Sequence, residues 1–364
     1  MQLFMTSDPV LKLNPAKIEQ IIDDPEATAK AVKLVYVNSS DDGIERVRAG
    51  KDFAYKFKNK KLNDKKHLER IKSLVIPPAW ENVWICYLEN GHLQVVGLDA
   101  NKRKQYKYHR LWNELRNHTK FYRMYQFGKL LPKMRLQIEK DLSLPGLPLR
   151  KVLALVVSLL ERTHIRVGNY EYEKLYGSFG LTTFKDKHIE VKDSRIKFSF
   201  KGKKGIQHNI DLRSKKLSRL VQQCKDIPGK ELFQYYDENG DRKPVDSGMV
   251  NDYIREISGQ DFTAKDFRTW AGTVHAFLAF AEMGMEEEES NIKKNIVSAL
   301  DKVAEKLGNT RTVCRKYYVH PKLIGHYENK TIERYFSELN KIEKNDSKAG
   351  LAKLEKVVMK MLKE

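Results

Sequence analysis

The chain has 364 residues and a formal net charge of +20, from 68 Lys and Arg against 48 Asp and Glu. This length allows two or three domains with a substantial buried core. No stretch of the sequence approaches the roughly 20 apolar residues that a membrane-spanning helix requires. The segment from Met1 to Leu11 lacks the charged, apolar and small-residue regions of a secretory signal. We therefore expect a cytoplasmic protein without a membrane partner.

The cysteines do not form a pattern that indicates a disulfide framework or a metal site. Cys86, Cys224 and Cys314 are far apart and odd in number, and no CxxC or Cys/His cluster is present. Paired or clustered cysteines would be needed for either feature. Cys314 could act as a nucleophile in principle, but we expect it to be a partly buried thiol in a reducing compartment.

The excess of basic residues favours a polyanionic partner. Nucleic acid is the commonest such partner of proteins with an isoelectric point near 9.5. Anionic lipid is the alternative, but no concentrated basic amphipathic anchor is evident outside the C-terminal tail.

The first part of the chain has the pattern of a small α+β domain. Alternating apolar and polar residues from Phe53 to Lys58 predict a strand, Asp64 to Leu74 has helical periodicity, and Glu89-Asn90-Gly91 predicts a turn between two further strands. A weaker helical pattern surrounds Lys17 to Ile22. The predicted strands cover residues 53–57, 83–87 and 92–96.

Helical periodicity dominates from Leu111 onward. Between Thr182 and Leu212 alternation returns and predicts a hairpin or β-meander with Gly202 and Gly205 near a turn. The strongest helices are expected at residues 149–163, 250–257, 267–283 and 292–307, the last capped by Gly308. We expect an N-terminal domain at 1–115, a mainly helical domain at 116–340 and a basic helical tail at 341–364. The fold class is α+β.

A basic and aromatic segment follows the predicted strand pair. Residues 102–140 contain twelve Lys and Arg but two Glu, interleaved with aromatic side chains. Basic side chains neutralise phosphates, and aromatic rings can lie against sugars or bases. The segment Lys102-Arg103-Lys104-Gln105-Tyr106 is therefore predicted to meet a nucleic-acid backbone.

No motif supports metal or nucleotide chemistry. Metal catalysis requires clustered carboxylates or histidines, and the sequence has no DxD, HExxH or well-spaced histidine pair. The glycine-rich loops that hold nucleotide phosphates, GxxxxGK[ST] and GxGxxG after a strand, are missing too. We expect no cofactor.

Four short strings combine the residue types that metal-free phosphoryl transfer needs, namely a nucleophile, phosphate-binding cations and an acid. They run 165–169 (IRVGN), 200–205 (FKGKKG), 265–272 (KDFRTWAG) and 307–321 (LGNTRTVCRKYYVHP). In this order they resemble the active site of type IB DNA topoisomerases of the compact poxviral and bacterial branch. The resemblance extends from about Asp42 to about Tyr327 and includes the strings at 76–80 (IPPAW), 97–108 and 180–183.

The resemblance implies a role for each of five residues. Arg166 and Arg268 match the two arginines that bind phosphate oxygens, and Lys203 matches the hairpin lysine that protonates the departing 5′-oxygen. Asn309 stands where poxviral and eukaryotic enzymes have His. The nine-residue step from Asn309 selects Tyr318 as the nucleophile, with its neighbour Tyr317 as the alternative.

The resemblance also implies a DNA-binding surface and a reaction. The surface would comprise Lys102, Arg103, Lys104, Gln105, Tyr106 and Tyr108. The reaction would relax supercoiled duplex DNA through a 3′-phosphotyrosyl intermediate, without ATP or metal, by a monomer that clamps the duplex. A bacterial protein of this kind would be associated with the nucleoid.

Two other functions are compatible with parts of the sequence. A tyrosine recombinase would use the same chemistry, but the strand-rich N-terminal domain argues against it. A non-catalytic basic DNA-binding or chromatin-organising module would explain the charge and the aromatic residues. It would not require two arginines, a Gly-Lys hairpin and a tyrosine in this order.

Overall fold

The computed structural model describes residues 21–22, 24–50, 52–100, 102, 104–341 and 350–363. The described residues up to Arg123 form one compact unit, and those from Met124 onward form another. The helix expected around Lys17 lies largely outside the described residues, as does Arg103. Within the described part of the chain, no helix is long and apolar enough to cross a membrane.

The first unit is built on a six-stranded antiparallel sheet with strand order β3-β2-β1-β4-β5-β6. The predicted strands at 53–57, 83–87 and 92–96 and the helix at 64–74 are confirmed within a few residues. The elements are α1 (Pro25–Ala31), β1 (Gly43–Ala49), β2 (Asp52–Phe57), β3 (Lys60–Lys61), α2 (Lys65–Ser73), β4 (Glu81–Cys86), β5 (Leu93–Leu98), β6 (Lys104–Tyr108) and α3 (Arg110–Thr119).

The core of this sheet explains the Ile76-Pro77-Pro78-Ala79-Trp80 string. Trp80 is 8% exposed and packs with Ile44 and Val95 in the hydrophobic cluster beside the sheet. The Arg46 guanidinium on β1 donates hydrogen bonds to the carbonyls of Pro77 (3.0 Å) and Trp80 (2.7 Å). Buried main-chain carbonyls need hydrogen-bond donors, and Arg46 supplies them here in addition to the Trp80 N–H, which donates to the Pro77 carbonyl (3.1 Å). Arg46 fixes the loop to the sheet.

The second unit is mainly helical. A three-stranded antiparallel sheet, β7-β8-β9, and a two-stranded one, β10-β11, lie among its helices. The elements are α4 (Met124–Asp141), α5 (Leu149–Thr163), α6 (Tyr170–Tyr176), β7 (Ile189–Lys192), β8 (Arg195–Lys201), β9 (Gln207–Arg213), α7 (Lys215–Lys225), β10 (Gln234–Tyr236), β11 (Arg242–Pro244), α8 (Ser247–Ser258), α9 (Ala264–Met283), α10 (Glu289–Leu307), α11 (Arg311–Tyr317), α12 (Pro321–Glu328), α13 (Glu333–Lys341) and α14 (Lys353–Lys363).

The strongest helical patterns in the sequence correctly predicted four helices of this unit. The helix predicted at 149–163 has those bounds as α5, and it is buried along nearly its whole length. The helices predicted at 250–257, 267–283 and 292–307 are confirmed as α8, α9 and α10, each beginning three residues earlier. Gly308 caps α10 in the left-handed conformation, with φ 57°, as its position predicted.

The C-terminal helix α14 is part of this unit. Val357, Val358 and Met361 are buried, and α14 packs against α4, α9 and α13. Glu355 of α14 accepts hydrogen bonds from Arg135 of α4 (2.9 Å) and from the Trp270 indole of α9 (2.9 Å). The helical periodicity expected after residue 341 therefore marks a buried face of the unit.

Candidate active site

Arg268 lies in α9 and connects the ends of two other helices. Its side chain is buried, with 4% of the residue exposed. Nη1 donates to the carbonyl of His164, which caps α5, and Nη2 donates to the carbonyl of Leu307 at the end of α10 (2.7 Å). Helix ends leave carbonyls without intrahelical partners. Arg268 satisfies two of them and is held rigidly in return.

Arg166 reaches the same end of α10 from the segment that follows α5. His164 adopts a left-handed conformation (φ 57°) and turns the chain away from the helix. Nη2 of Arg166 then donates to the Gly308 carbonyl (3.0 Å) and to Oδ1 of Asn309. Arg166, Arg268 and Asn309 therefore meet around residues 307–309.

Tyr318 directly follows α11 and lies against Arg268. The Arg268 Cζ is 5.3 Å from the centroid of the Tyr318 ring. The main chain of Tyr318 packs on α9, where a Cβ at Gly272 would lie 2.5 Å from the Tyr318 carbonyl oxygen. Thr273 donates its hydroxyl to the same carbonyl (3.3 Å). One helix thus positions both the arginine and the tyrosine.

The neighbouring Tyr317 has different surroundings. The Lys316 ammonium lies over its ring, 5.4 Å from the centroid. Both tyrosines are partly buried, so burial does not distinguish them. The contact with Arg268 does, because it places the Tyr318 ring beside a buried guanidinium.

Burial shapes the electrostatics of the cluster. Burial and, to a smaller extent, the nearby positive charge of Arg268 together lower the pKa of Arg166 to about 10. Burial also lowers the pKa of Arg268, whereas the charge and hydrogen bond of Tyr318 raise it. Burial raises the pKa of the Cys314 thiol to about 11, although both arginines oppose that shift. At neutral pH the arginines are charged and the thiol is protonated, which leaves a positive site beside Tyr318.

Lys203 occupies the turn of the β8–β9 hairpin. It is exposed, and its ammonium lies over the ring of Tyr172, 5.4 Å from the centroid. The turn closes by a hydrogen bond from the Gly202 N–H to the Ile206 carbonyl (2.7 Å), and Lys204 takes a left-handed φ of 63°. The structure therefore brings together Arg166, Arg268, Asn309 and Tyr318, with Lys203 at an exposed tip.

The described residues among those predicted to bind DNA lie on or next to β6, an edge strand of the sheet in the first unit. Tyr106 and Tyr108 are stacked, with centroids 6.2 Å apart and planes at 13°, and Lys104 lies over Tyr106 (5.6 Å). These three alternate residues share one face of the strand. Lys102 pairs with Glu81, and Gln105 donates to Asp99 (3.1 Å).

Three further residues shape this region, and the sequence assigned no role to them. Thr273 and Gly272 hold the main chain of Tyr318, and His208 of β9 lies beside Gly202 and Gly308. Gly272 was visible within the predicted string, but its contact with Tyr318 spans 46 residues. His208 was visible only as one position of an alternating strand.

Comparisons with known proteins define the class of the chain. The family model described as the catalytic core of eukaryotic DNA topoisomerase I matches residues 103–346. The model of the N-terminal domain of bacterial DNA topoisomerase IB matches residues 52–99. The fold and these matches define a type I DNA topoisomerase, an enzyme that acts on DNA.

Individual relatives agree with this class. The chain is 33% identical over 296 residues to DNA topoisomerase 1B of Acanthamoeba polyphaga mimivirus, which covers 79% of this chain and 88% of the viral protein. It is 26% identical over 291 residues to DNA topoisomerase 1 of Rabbit fibroma virus, covering 73% and 87%. It is 26% identical over 230 residues to DNA topoisomerase 1B of Vaccinia virus strain Copenhagen, covering 62% and 69%. The chain belongs to the type IB DNA topoisomerase family.

Proposed function

We propose that this enzyme relaxes supercoiled DNA by using Tyr318 to cleave and reseal one strand. The contact between Tyr318 and Arg268, with the guanidinium 5.3 Å from the ring centroid, carries the proposal. A nucleophile that attacks a phosphodiester must stand beside the cations that bind the phosphate. Tyr318 has such a cation as a direct neighbour.

In the cleavage step, the Tyr318 oxygen attacks the phosphorus in line with the 5′-oxygen. The bond from the tyrosine oxygen to phosphorus forms, the bond to the 5′-oxygen breaks, and the phenolic proton passes to solvent. The adjacent guanidinium stabilises negative charge on the attacking oxygen. The products are a 3′-phosphotyrosine and a 5′-hydroxyl, and the reverse reaction reseals the strand.

The two arginines would bind the non-bridging oxygens of the phosphate. A guanidinium has five N–H donors, and the main-chain contacts of Arg268 occupy two of its nitrogens. The remaining donors would stabilise the charge of the pentacoordinate transition state. Because both arginines are held by main-chain carbonyls, they need no reorganisation during the reaction.

Lys203 would donate the proton that the leaving 5′-oxygen takes up. Its exposed place at a hairpin turn and its flexible four-carbon stem support this role, since the ammonium can reach a strand that lies over the site. A positioned general acid contributes about 10²- to 10⁴-fold to such a step. The Asn309 amide would add a hydrogen bond to the phosphate but no proton.

The energetics require no nucleotide. One phosphoester is exchanged for another of similar energy, and torsional strain in the DNA supplies the direction. We further propose that the enzyme is a monomer that clamps the duplex. The face formed by Lys104, Tyr106 and Tyr108, together with Lys102, Arg103 and Gln105, would contact the DNA backbone.

Relaxation of a supercoiled plasmid in EDTA without nucleotide tests the proposal. The wild-type protein should relax the plasmid stepwise, and Tyr318→Phe should bind DNA without relaxing it. A folded, DNA-binding wild type that relaxes nothing would contradict the proposed reaction. A recombinase would instead require paired specific sites.

A further inference from the structure

His208 fills a space between two glycines from different parts of the fold. A Cβ at Gly202 would lie 2.6 Å from its Cδ2 atom, and a Cβ at Gly308 would lie 2.1 Å from its Cε1 atom. Real Cβ atoms do not approach other atoms this closely. The imidazole therefore separates the hairpin turn from the C-terminal cap of α10, and it touches both.

A third contact fixes the ring. His208 stacks on Phe200, with centroids 4.9 Å apart and planes at 16°. Phe200 is 4% exposed and belongs to β8, so it forms part of the core below the hairpin. With neighbours on three sides, the imidazole has little freedom to move relative to the turn or the cap.

Both glycines border residues of the candidate active site. Gly202 directly precedes Lys203, the proposed acid. Gly308 accepts a hydrogen bond from Arg166 (3.0 Å) and directly precedes Asn309. The width of one imidazole ring thus sets the separation between the turn that carries the acid and the loop that Arg166 contacts.

At neutral pH the His208 ring carries no charge in this position. Burial lowers its pKa, and the positive charges of Arg166 and Arg268 lower it further. A neutral ring serves as a spacer without adding a third positive charge beside the arginines.

We infer that His208 is a positioning residue that places the Lys203 ammonium relative to Arg166 and the bound phosphate. This inference rests on the proposed role of Lys203 as the acid. Without the His208 ring, nothing holds the hairpin turn at a fixed distance from the cap of α10. The Lys203 ammonium then spends less time within reach of the 5′-oxygen. Misplacement of a catalytic group by about 1 Å can cost 10²-fold in rate.

Single-turnover cleavage of two DNA substrates tests the inference. One substrate has the ordinary 5′-oxygen at the scissile phosphate, and the other has a bridging 5′-sulfur, which leaves as a thiolate without an acid. The proteins are wild type, His208→Ala, Lys203→Ala and His188→Ala. The last is a control, because the His188 ring also packs against a phenylalanine, 4.2 Å from the ring of Phe179, and is itself buried.

The expected result is selective rescue. His208→Ala should cleave the oxygen substrate about tenfold more slowly than wild type, and the sulfur substrate within about twofold of it. Lys203→Ala should show the same selectivity with a larger defect. His188→Ala should affect both substrates equally, because a cavity in the core does not distinguish between leaving groups.

Two results would overturn the inference, and they are distinguishable. In the first, His208→Ala cleaves both substrates equally slowly, while the sulfur substrate still rescues Lys203→Ala. Lys203 would then remain the acid, but His208 would have only a structural role. If the sulfur substrate does not rescue Lys203→Ala, Lys203 is not the acid, and the inference about His208 fails together with that proposed role.

A second variant keeps the test decisive if His208→Ala does not fold. Gly202 has φ −91° and ψ −166°, which alanine tolerates, so Gly202→Ala adds only the Cβ that meets the ring. It should show the same selective loss on the oxygen substrate. Wild-type cleavage of both substrates by Gly202→Ala would contradict the inference.

Discussion

The guanidinium of Arg268 lies over the ring of Tyr318, with its Cζ 5.3 Å from the ring centroid. Helix α9 fixes both partners, because it carries Arg268 and, through Thr273, donates a hydrogen bond to the Tyr318 carbonyl. The proposed nucleophile and one phosphate-binding cation therefore share a single rigid support. Preorganisation of this kind is a main source of enzymatic rate enhancement.

The close packing of Gly272 on Tyr318 gives the first prediction. In Gly272→Ala, the new Cβ would lie 2.5 Å from the Tyr318 carbonyl oxygen and would displace the residue. We expect the DNA cleavage rate to fall on the order of 10²-fold, because small displacements of reacting groups are this costly. Single-turnover cleavage and the melting temperature should be measured together.

Gly325→Ala is the matched control for that variant. Gly325 also lies in a helix, α12, but a Cβ there meets no atom within 4 Å. Its cleavage rate should equal that of wild type. A Gly272→Ala enzyme as fast as this control would mean that the packing does not position Tyr318.

The buried contacts of Glu355 predict that the C-terminal helix supports the catalytic unit. Glu355 is 7% exposed and binds Arg135 and the Trp270 indole, two residues from Arg268. Glu355→Ala would leave a buried guanidinium with one fewer carboxylate, and we expect a loss of about 3 kcal/mol in the free energy of unfolding. Urea denaturation measures this loss.

An ion pair at the surface between α13 and α14 serves as the comparison. Glu338 pairs with Lys360 at the surface, so Glu338→Ala should cost less than about 1 kcal/mol. Equal stabilities for the two variants would show that α14 does not depend on the buried contacts.

His164 predicts how stability depends on pH. Burial lowers its pKa to about 3, helped by His275, whose Nε2 lies 2.9 Å from its own, and by Arg268. Because the pKa of this histidine is lower in the folded protein than in the unfolded chain, the unfolded chain binds the proton at a higher pH. Stability is therefore full above the unfolded pKa of about 6.5 and is lost as the pH falls toward the folded value.

His164→Asn isolates this contribution, because asparagine tolerates the left-handed backbone of residue 164. Between pH 7 and pH 5, the wild type should lose about 2 kcal/mol more in the free energy of unfolding than the variant. Urea denaturation at the two pH values measures the difference. Parallel losses in the two proteins would show that His164 does not titrate on unfolding.

Much of the fold follows from local pattern. Apolar residues at helical spacing predicted α5 within its bounds, and alternation predicted β8, whose residues are buried and exposed in turn, because burial of one face is encoded in neighbouring residues. Helix starts were less accurate. α9 begins at Ala264, where the polar capping box of Thr263 and Asp266 lies outside the apolar stripe.

The site required more than local pattern. Single strings pointed to Arg166, Arg268 and Tyr318 only through their resemblance to a family. The structure adds the contacts, since the hydrogen bond from Arg166 to Gly308 joins residues 142 positions apart. His208 has no local signal of its role, because its neighbours Gly202 and Gly308 come together only in the folded unit.

Mapping the covalent adduct tests the central claim most directly. The protein should be incubated with a suicide duplex from which the short fragment with the new 5′-hydroxyl dissociates after cleavage, so that the covalent complex accumulates. The complex is then digested with protease and examined by mass spectrometry. We expect the nucleotide on Tyr318, an adduct from Tyr317→Phe and none from Tyr318→Phe. A nucleotide on Tyr317, or an adduct formed by Tyr318→Phe, would contradict the account.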